Sequence, residues 1–196
     1  MFKLDYLTPP EWVEQVEAED VCTLLADHAH CELKAASSAQ GILSRGIDNP
    51  ALMVELARVA IDEMEHFELV LHELHRRGGQ LGQVQENPYA DRLHRAAASN
   101  RSNRLLDRLI VSGLIEARSL ERFHLLSEGL HELKLASLYR GLMASEAGHQ
   151  RLFFSYATEM FGEEAEQRIA ELRRIEGEIV ASLPFAVAVH SGLCVS

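Results

Sequence analysis

Apolar positions recur at steps of three and four along four long stretches of the chain, the spacing of one face of a helix. Between residues 20 and 45 the shared face carries Val21, Leu25, His28, Glu32, Ala35 and Ala39. Between 50 and 77 it carries Leu52, Leu56, Val59, Glu63, His66, Val70 and Leu74. Between 101 and 127 it carries Leu105, Leu109, Ser112, Glu116, Leu120 and Phe123. Between 131 and 161 it carries Leu135, Leu138, Leu142, Glu146, His149, Leu152 and Tyr156. No segment alternates with the period of two that a half-buried strand requires.

The punctuation agrees with the periodicity. Asp20 is placed to cap the first long helix and Gly46 to end it. Asp48-Asn49-Pro50 opens the second, which stops at Gly78-Gly79. Gly129 separates the third from the fourth, and Gly162 ends the fourth. Thr8-Pro9-Pro10-Glu11 starts a short helix to about Glu17, a charged helix spans roughly 163–181, and the tail after Pro184 reads as irregular. Residues 78–99 form the only long link, with a short helix predicted over 89–98. Two close helix pairs joined by one long connection predict an all-α four-helix bundle with one crossover, in a single domain over 1–196.

The apolar faces are interrupted where burial is most expensive. Glu32, Glu63, His66, Glu116, Glu146 and His149 sit in mid-stripe, and a buried charge without a counter-charge costs several kcal/mol. Their order repeats: Glu32 precedes Glu63-x-x-His66, and Glu116 precedes Glu146-x-x-His149, with one element per helix. A basic residue, Lys34 or Arg118, follows each lone glutamate by two. Residues three apart project from one helical face, so each Glu-x-x-His is a ready pair of ligands. Four carboxylates and two imidazoles match the charge of two divalent metals, and oxygen-rich donors with imidazole suit iron or manganese. The tetrapeptides Glu121/His124 and Glu128/His131 do not qualify: Glu121 is turned about 140° from Glu116 around the helix, and Glu128 abuts Gly129.

Composition narrows the setting. The chain is 47% hydrophobic with net charge −11, so its surface as a whole repels nucleic acid and anionic membranes. Residues 92–108 depart from this: Arg92, Arg95, Arg101, Arg104 and Arg108 face only Asp107, a local +4. Cys22, Cys31 and Cys194 are odd in number and lack metal-ligand spacing, which reads as free thiols in a reducing cytosol. No basic-then-apolar leader opens the sequence, and the apolar run from Leu183 to Val189 is too short to cross a bilayer. A soluble cytoplasmic protein with no membrane partner is expected.

The six inward-facing residues resemble the ferritin-like di-iron carboxylate proteins. Within that group, Asp27-His28-Ala29-His30-Cys31-Glu32-Leu33-Lys34-Ala35-Ala36 is similar to the first-helix signature of the tRNA-(2-methylthio-isopentenyl-adenosine) hydroxylases, the MiaE family. The resemblance extends to Pro10-Glu11-Trp12, Asp62 to Leu69, Asn100-Arg101-Ser102 and Ser145 to Phe154. It implies a ferritin-like fold and a centre of two iron ions held by Glu32, Glu63, His66, Glu116, Glu146 and His149. It also implies O2-dependent hydroxylation of an isopentenyl group on an adenosine beside a tRNA anticodon. An external reductase is then needed, since the chain has no flavin or nicotinamide signature. The tRNA anticodon arm would meet the five arginines.

Many di-iron oxygenases carry Asp before Glu in both motifs to orient a ligand histidine. Asp62 fits, but its counterpart here is Ser145, so the two halves are expected to hold their histidines unequally. His28, one turn before Glu32, either supports that carboxylate or is a core histidine bound to a backbone carbonyl. Leu109, Gly113 and Ala117 flank Glu116 and either leave room for a substrate chain or simply pack the core. An iron-oxidising or peroxide-scavenging ferritin relative, or a di-iron quinone hydroxylase, would use the same six ligands. The first would leave the arginines and the long connection unexplained, and the second would need a membrane-facing amphipathic helix.

Overall fold

The computed structural model describes residues 2–45, 47–84, 86–99 and 104–193. Gly46, Asn100, Arg101, Ser102 and Cys194 lie outside the described residues. Among those described there are seven helices and no strand: α1 Glu11–Ala18, α2 Val21–Leu43, α3 Pro50–Arg76, α4 Pro88–Ser99, α5 Arg104–Gly129, α6 Leu133–Phe161 and α7 Glu163–Ser182. The expected ends hold to within a few residues. Two compact units result. One is formed from the described parts of Met1–Ala18, Asn87–Ala186 and His190–Ser196, the other from Glu19–Glu86 with Val187–Val189.

The second unit is the hairpin α2–α3. Asp20 caps α2, accepting from the Cys22 amide at 2.9 Å and from Thr23 Oγ1 at 3.0 Å. Asn49 caps α3 through the Leu52 amide, with Pro50 in the first turn, each cap contributing about 1 kcal/mol. Gly78, at φ +78°, takes the left-handed conformation that ends α3. Leu24, Leu25, Ala29, Ala36, Ala39 and Ile42 of α2 are buried, as are Leu52, Leu56, Val59, Val70 and Leu74 of α3. Each large side chain removed from water contributes ~1.5–3 kcal/mol. Every residue of the predicted α3 stripe is buried, with Ala60 added to it.

The first unit is built on α5, which is buried on nearly every side. Leu109, Leu120 and Phe123 pack into the α5–α6 hairpin with Leu135, Tyr139, Leu142, Phe153 and Ala157 of α6. The Phe123 and Tyr139 rings lie 5.3 Å apart. The expected α6 stripe needs correcting: Leu138, Leu152 and Tyr156 are only half-buried, while Tyr139, Gln150 and Phe153 fill the seam.

The other faces of α5 carry buried charge. Arg118 donates to both oxygens of Glu176 on α7, which also accepts from the Tyr89 hydroxyl on α4. Burial pushes the Glu176 carboxyl up from its ordinary range, against the pull of Arg118. Arg122 lies 4.1 Å over the Trp12 ring and donates to the Ser191 and Gly192 carbonyls. Burial lowers it to about 9. Arg118 is therefore a structural anchor, with nothing in common with the half-exposed Lys34 beyond its spacing. Glu121 accepts from the Thr8 amide and hydroxyl and from Arg118, so its removal would not be silent although it faces away from the candidate ligands. The tail is fastened by polar contacts: His190 stacks on Tyr89 at 5.0 Å and pairs with Ser119 Oγ at 3.0 Å.

Candidate metal centre

In the α2–α3 hairpin, Glu32, Glu63 and His66 come together. Each presents one donor atom, and those atoms lie within 4.8 Å of one another. His66 Nδ1 is 3.3 Å from Glu63 Oε2 and 3.9 Å from Glu32 Oε2. Glu63 is completely buried and Glu32 nearly so. The placement follows from local sequence. Glu63 and His66 are one turn apart on a helix whose apolar neighbours point it inward, and Glu32 lies in the buried stripe of α2.

His28 resolves in favour of the carboxylate: its Nε2 is 2.5 Å from Glu32 Oε1, and the ring is fully buried. His30, two residues on, turns instead to the Leu81 carbonyl at 3.1 Å. Of the two histidines in the α2 signature, one therefore serves the ligand and the other a loop. Asp62 is half-buried beside Glu63.

In the α5–α6 hairpin, Glu116, Glu146 and His149 form the matching group, again with donor atoms within 4.8 Å of one another and all three residues buried. Ser145 Oγ lies 3.4 Å from His149 Nε2, so a hydroxyl accompanies that nitrogen. The position four before Glu116, equivalent to His28, is Ser112, which is buried.

Each group therefore offers two carboxylate donors and one imidazole in a dry setting. That set fits a hard divalent cation of the iron or manganese class, whose positive charge offsets the cost of burying two carboxylates. His131, in one of the rejected tetrapeptides, is exposed and bonded to Glu17 at 2.5 Å. His124 is likewise exposed.

Of the five arginines, Arg92 and Arg95 are exposed on α4, Arg104 is exposed and Arg108 half-buried on α5, and Arg101 lies outside the described residues. Helix α4 packs against α5. Partial burial and the positive charge of Arg108 push His94 of α4 below its ordinary value. Asp107 does not offset them as the sequence count implies, because its carboxylate is buried and receives Arg168 Nε at 2.8 Å.

Sequence reasoning passes over Gln150 and Phe154. Gln150 is 3% exposed and lies one turn beyond Glu146. A polar residue in a run rich in Leu and Phe gives no signal of its own. Its offset of four from Glu146 is the available clue.

The profile of the family described as tRNA-(MS[2]IO[6]A)-hydroxylase (MiaE) matches residues 2–191. The chain belongs to that family. It is 38% identical over 188 residues to a tRNA 2-(methylsulfanyl)-N(6)-isopentenyladenosine(37) hydroxylase of Pseudomonas putida, covering 95% of this chain and 90% of the relative. A Salmonella typhimurium protein of the same description is 24% identical over 234 residues, covering 95% and 86%. Among solved structures, a Synechococcus protein described as having aldehyde deformylating oxygenase activity superposes with a TM-score of 0.90 at 35% identity, over 98% of this chain and 97% of that one. The fold is all-α and ferritin-like, as the resemblance implied. The family match spans every one of the six candidate ligands. No helix among the described residues is long and apolar enough to cross a membrane.

Proposed function

We propose that this protein hydroxylates the isopentenyl group of 2-methylthio-isopentenyl-adenosine beside the anticodon of tRNA. In this reading Glu32, Glu63, His66, Glu116, Glu146 and His149 hold two iron ions as one dinuclear centre, and residues 1–196 act as one functional domain. The observation that carries it is the family match over residues 2–191, coinciding with two buried groups of identical Glu, Glu-x-x-His composition. When bound, the metal pair would supply activation of O2, with electrons from an external reductase.

The chain's own residues do the rest. His28 fixes the orientation of the Glu32 carboxylate, and His66 and His149 each present an imidazole nitrogen. Leu109, Leu120, Phe123 and Phe153 line the α5–α6 seam with apolar surface that excludes water from the reacting carbon. Arg92, Arg95, Arg101, Arg104 and Arg108 hold the phosphates of the anticodon arm. Arg108 precedes Glu116 by eight residues, ~12 Å along α5, so a stem-loop seated on the basic end is within a nucleotide's length of the carboxylates. A tRNA substrate places the protein in the cytoplasm.

The likeness to the Synechococcus protein supports a second reading, an oxygenase acting on an aldehyde. It uses the same ligands and gives the arginines nothing to do, as do the iron-oxidase and quinone-hydroxylase readings. The deciding experiment supplies iron-loaded protein and reductant with modified tRNA, unmodified tRNA or an aldehyde, and follows O2 uptake. Uptake that depends on the modified tRNA supports the hydroxylase. Uptake with ferrous iron alone, or with the aldehyde alone, replaces it.

A further inference from the structure

One turn from Glu146 and Glu116, the α5–α6 hairpin carries an arrangement that the metal ligands do not account for. The Phe2 ring lies flat on Phe154, with centroids 4.3 Å apart and planes 18° from parallel. The Phe2 amide donates to Gln150 Oε1 at 3.2 Å. Gln150 is 3% exposed, and its Nε2, a donor of two hydrogens, is buried with no hydrogen-bond partner. An unmet buried donor costs on the order of 1–3 kcal/mol, so a partner for it has a large effect. Beneath the ring, α5 carries Gly113: a Cβ there would stand 3.0 Å from two carbons of Phe154. Phe2 and Phe154 are both half-buried, so the stack reaches the surface. Their neighbours Lys3 and Arg151 are exposed cations.

We infer that Phe154 and Gln150 form the subsite for the modified adenine base, and that Phe2 occupies the place of that base while substrate is absent. The inference rests on the hydroxylase reading and adds the residues that read the base.

A flat aromatic face is the surface on which proteins stack an unpaired base. A carboxamide pairs bidentately with adenine, accepting from N6–H and donating to a ring nitrogen. An adenine alkylated once at N6 keeps one N6–H, so it still satisfies both halves of the Gln150 side chain, where the Phe2 amide satisfies only one. With the base on Phe154, its N6 substituent runs past Gly113 toward Glu116 and Glu146. Gly113 lies one helical turn, ~5 Å, from Glu116, and Gln150 one turn from Glu146, about the span of an isopentenyl chain. Lys3 and Arg151 then lie where the flanking phosphates pass.

The test is binding of a labelled anticodon stem-loop to iron-loaded protein under argon, so that no turnover intervenes. Three stem-loops differ at the position beside the anticodon: N6-isopentenyl adenine, the same base with an added N6-methyl group and hence no N6–H, and an abasic site. Gln150→Leu is expected to weaken binding of the first by ~10-fold and to leave the other two within ~2-fold. Wild-type protein should show the same ~10-fold loss on going from the first stem-loop to the second, a comparison that needs no variant to fold. Phe2→Ala, which removes the competing ring, should tighten the first severalfold and leave the abasic arm unchanged.

Equal affinity of wild type for the N6–H and N6-methyl bases, or weaker binding by Phe2→Ala, overturns the subsite. Admitting O2 to the wild-type complex with the first stem-loop keeps the two claims apart. Turnover with a Gln150→Leu variant that binds like wild type rejects the subsite alone. Absence of any hydroxylated nucleoside rejects the hydroxylase reading itself.

Discussion

The two hairpins present the same donor set and differ in everything next to it. In α2–α3 the lone carboxylate, Glu32, is gripped by a fully buried histidine, and an aspartate precedes the Glu-x-x-His pair. In α5–α6 both corresponding positions, Ser112 and Ser145, are serines, and the neighbouring turn carries Gly113, Gln150 and Phe154. An ionisable partner such as His28 holds a carboxylate more firmly than a neutral hydroxyl can. The asymmetry teaches that repetition of donors does not imply equivalence of their surroundings. In the proposed reading the α2–α3 half would hold a metal more firmly than the α5–α6 half.

The largest effect tests the shared part of the comparison. Glu146→Ala and Glu63→Ala should each leave a folded helical chain with reduced iron content and no hydroxylase activity, read by metal analysis and product assay. Full activity in either variant would break the assignment of that half. Next comes the difference itself. His28→Ala is expected to lower iron affinity by ~10–100-fold, whereas Ser112→Ala changes it little, and equal losses would erase the distinction between the hairpins.

A smaller effect sharpens the claim about space. Gly113→Ala places a Cβ 3.0 Å from the Phe154 ring, so turnover of modified tRNA should fall severalfold while iron content stays at the wild-type level. Reversing Arg92 and Arg104 should weaken tRNA binding and reduce its salt slope by ~0.7–0.9 for each phosphate no longer neutralised. Smallest of all is His131→Ala, in the turn between α5 and α6 and away from the donors. Its hydrogen bond to Glu17 raises the His131 pKa above the ordinary 6.5. The pair's stabilisation is therefore complete below that value and fades as pH rises through the raised one. A thermal-stability profile should show the wild-type advantage disappear on the alkaline side, with iron content unaffected.

What the sequence displays depends on how local the signal is. The α3 stripe is legible, Ala60 apart, because its apolar positions keep one period from Leu52 to Leu74. Helix ends at Asn49-Pro50 and Gly162 are legible because capping and left-handed backbone need particular residues. The six donors are legible because carboxylates and imidazoles interrupt apolar stripes. The α6 seam is not, at Leu138, Leu152 and Tyr156, since a helix rich in Leu, Phe and Tyr offers more than one apolar face and tertiary packing chooses between them. Nothing in the local sequence marks Arg118 and Arg122 as buried. Their burial depends on Glu176, Trp12 and the tail carbonyls, partners between 58 and 110 residues away in the chain. Gln150 escapes notice for the same reason: its importance lies in Phe2, at the other end of the sequence.

The most direct test of the account is to supply iron-loaded protein, reductant and isotopically labelled O2 to tRNA bearing the isopentenylated adenosine, and to weigh the nucleosides after digestion. The account predicts a product nucleoside heavier by one oxygen atom that carries the label. Label arriving from water, or the same O2 uptake with unmodified tRNA and no heavier nucleoside, would contradict it.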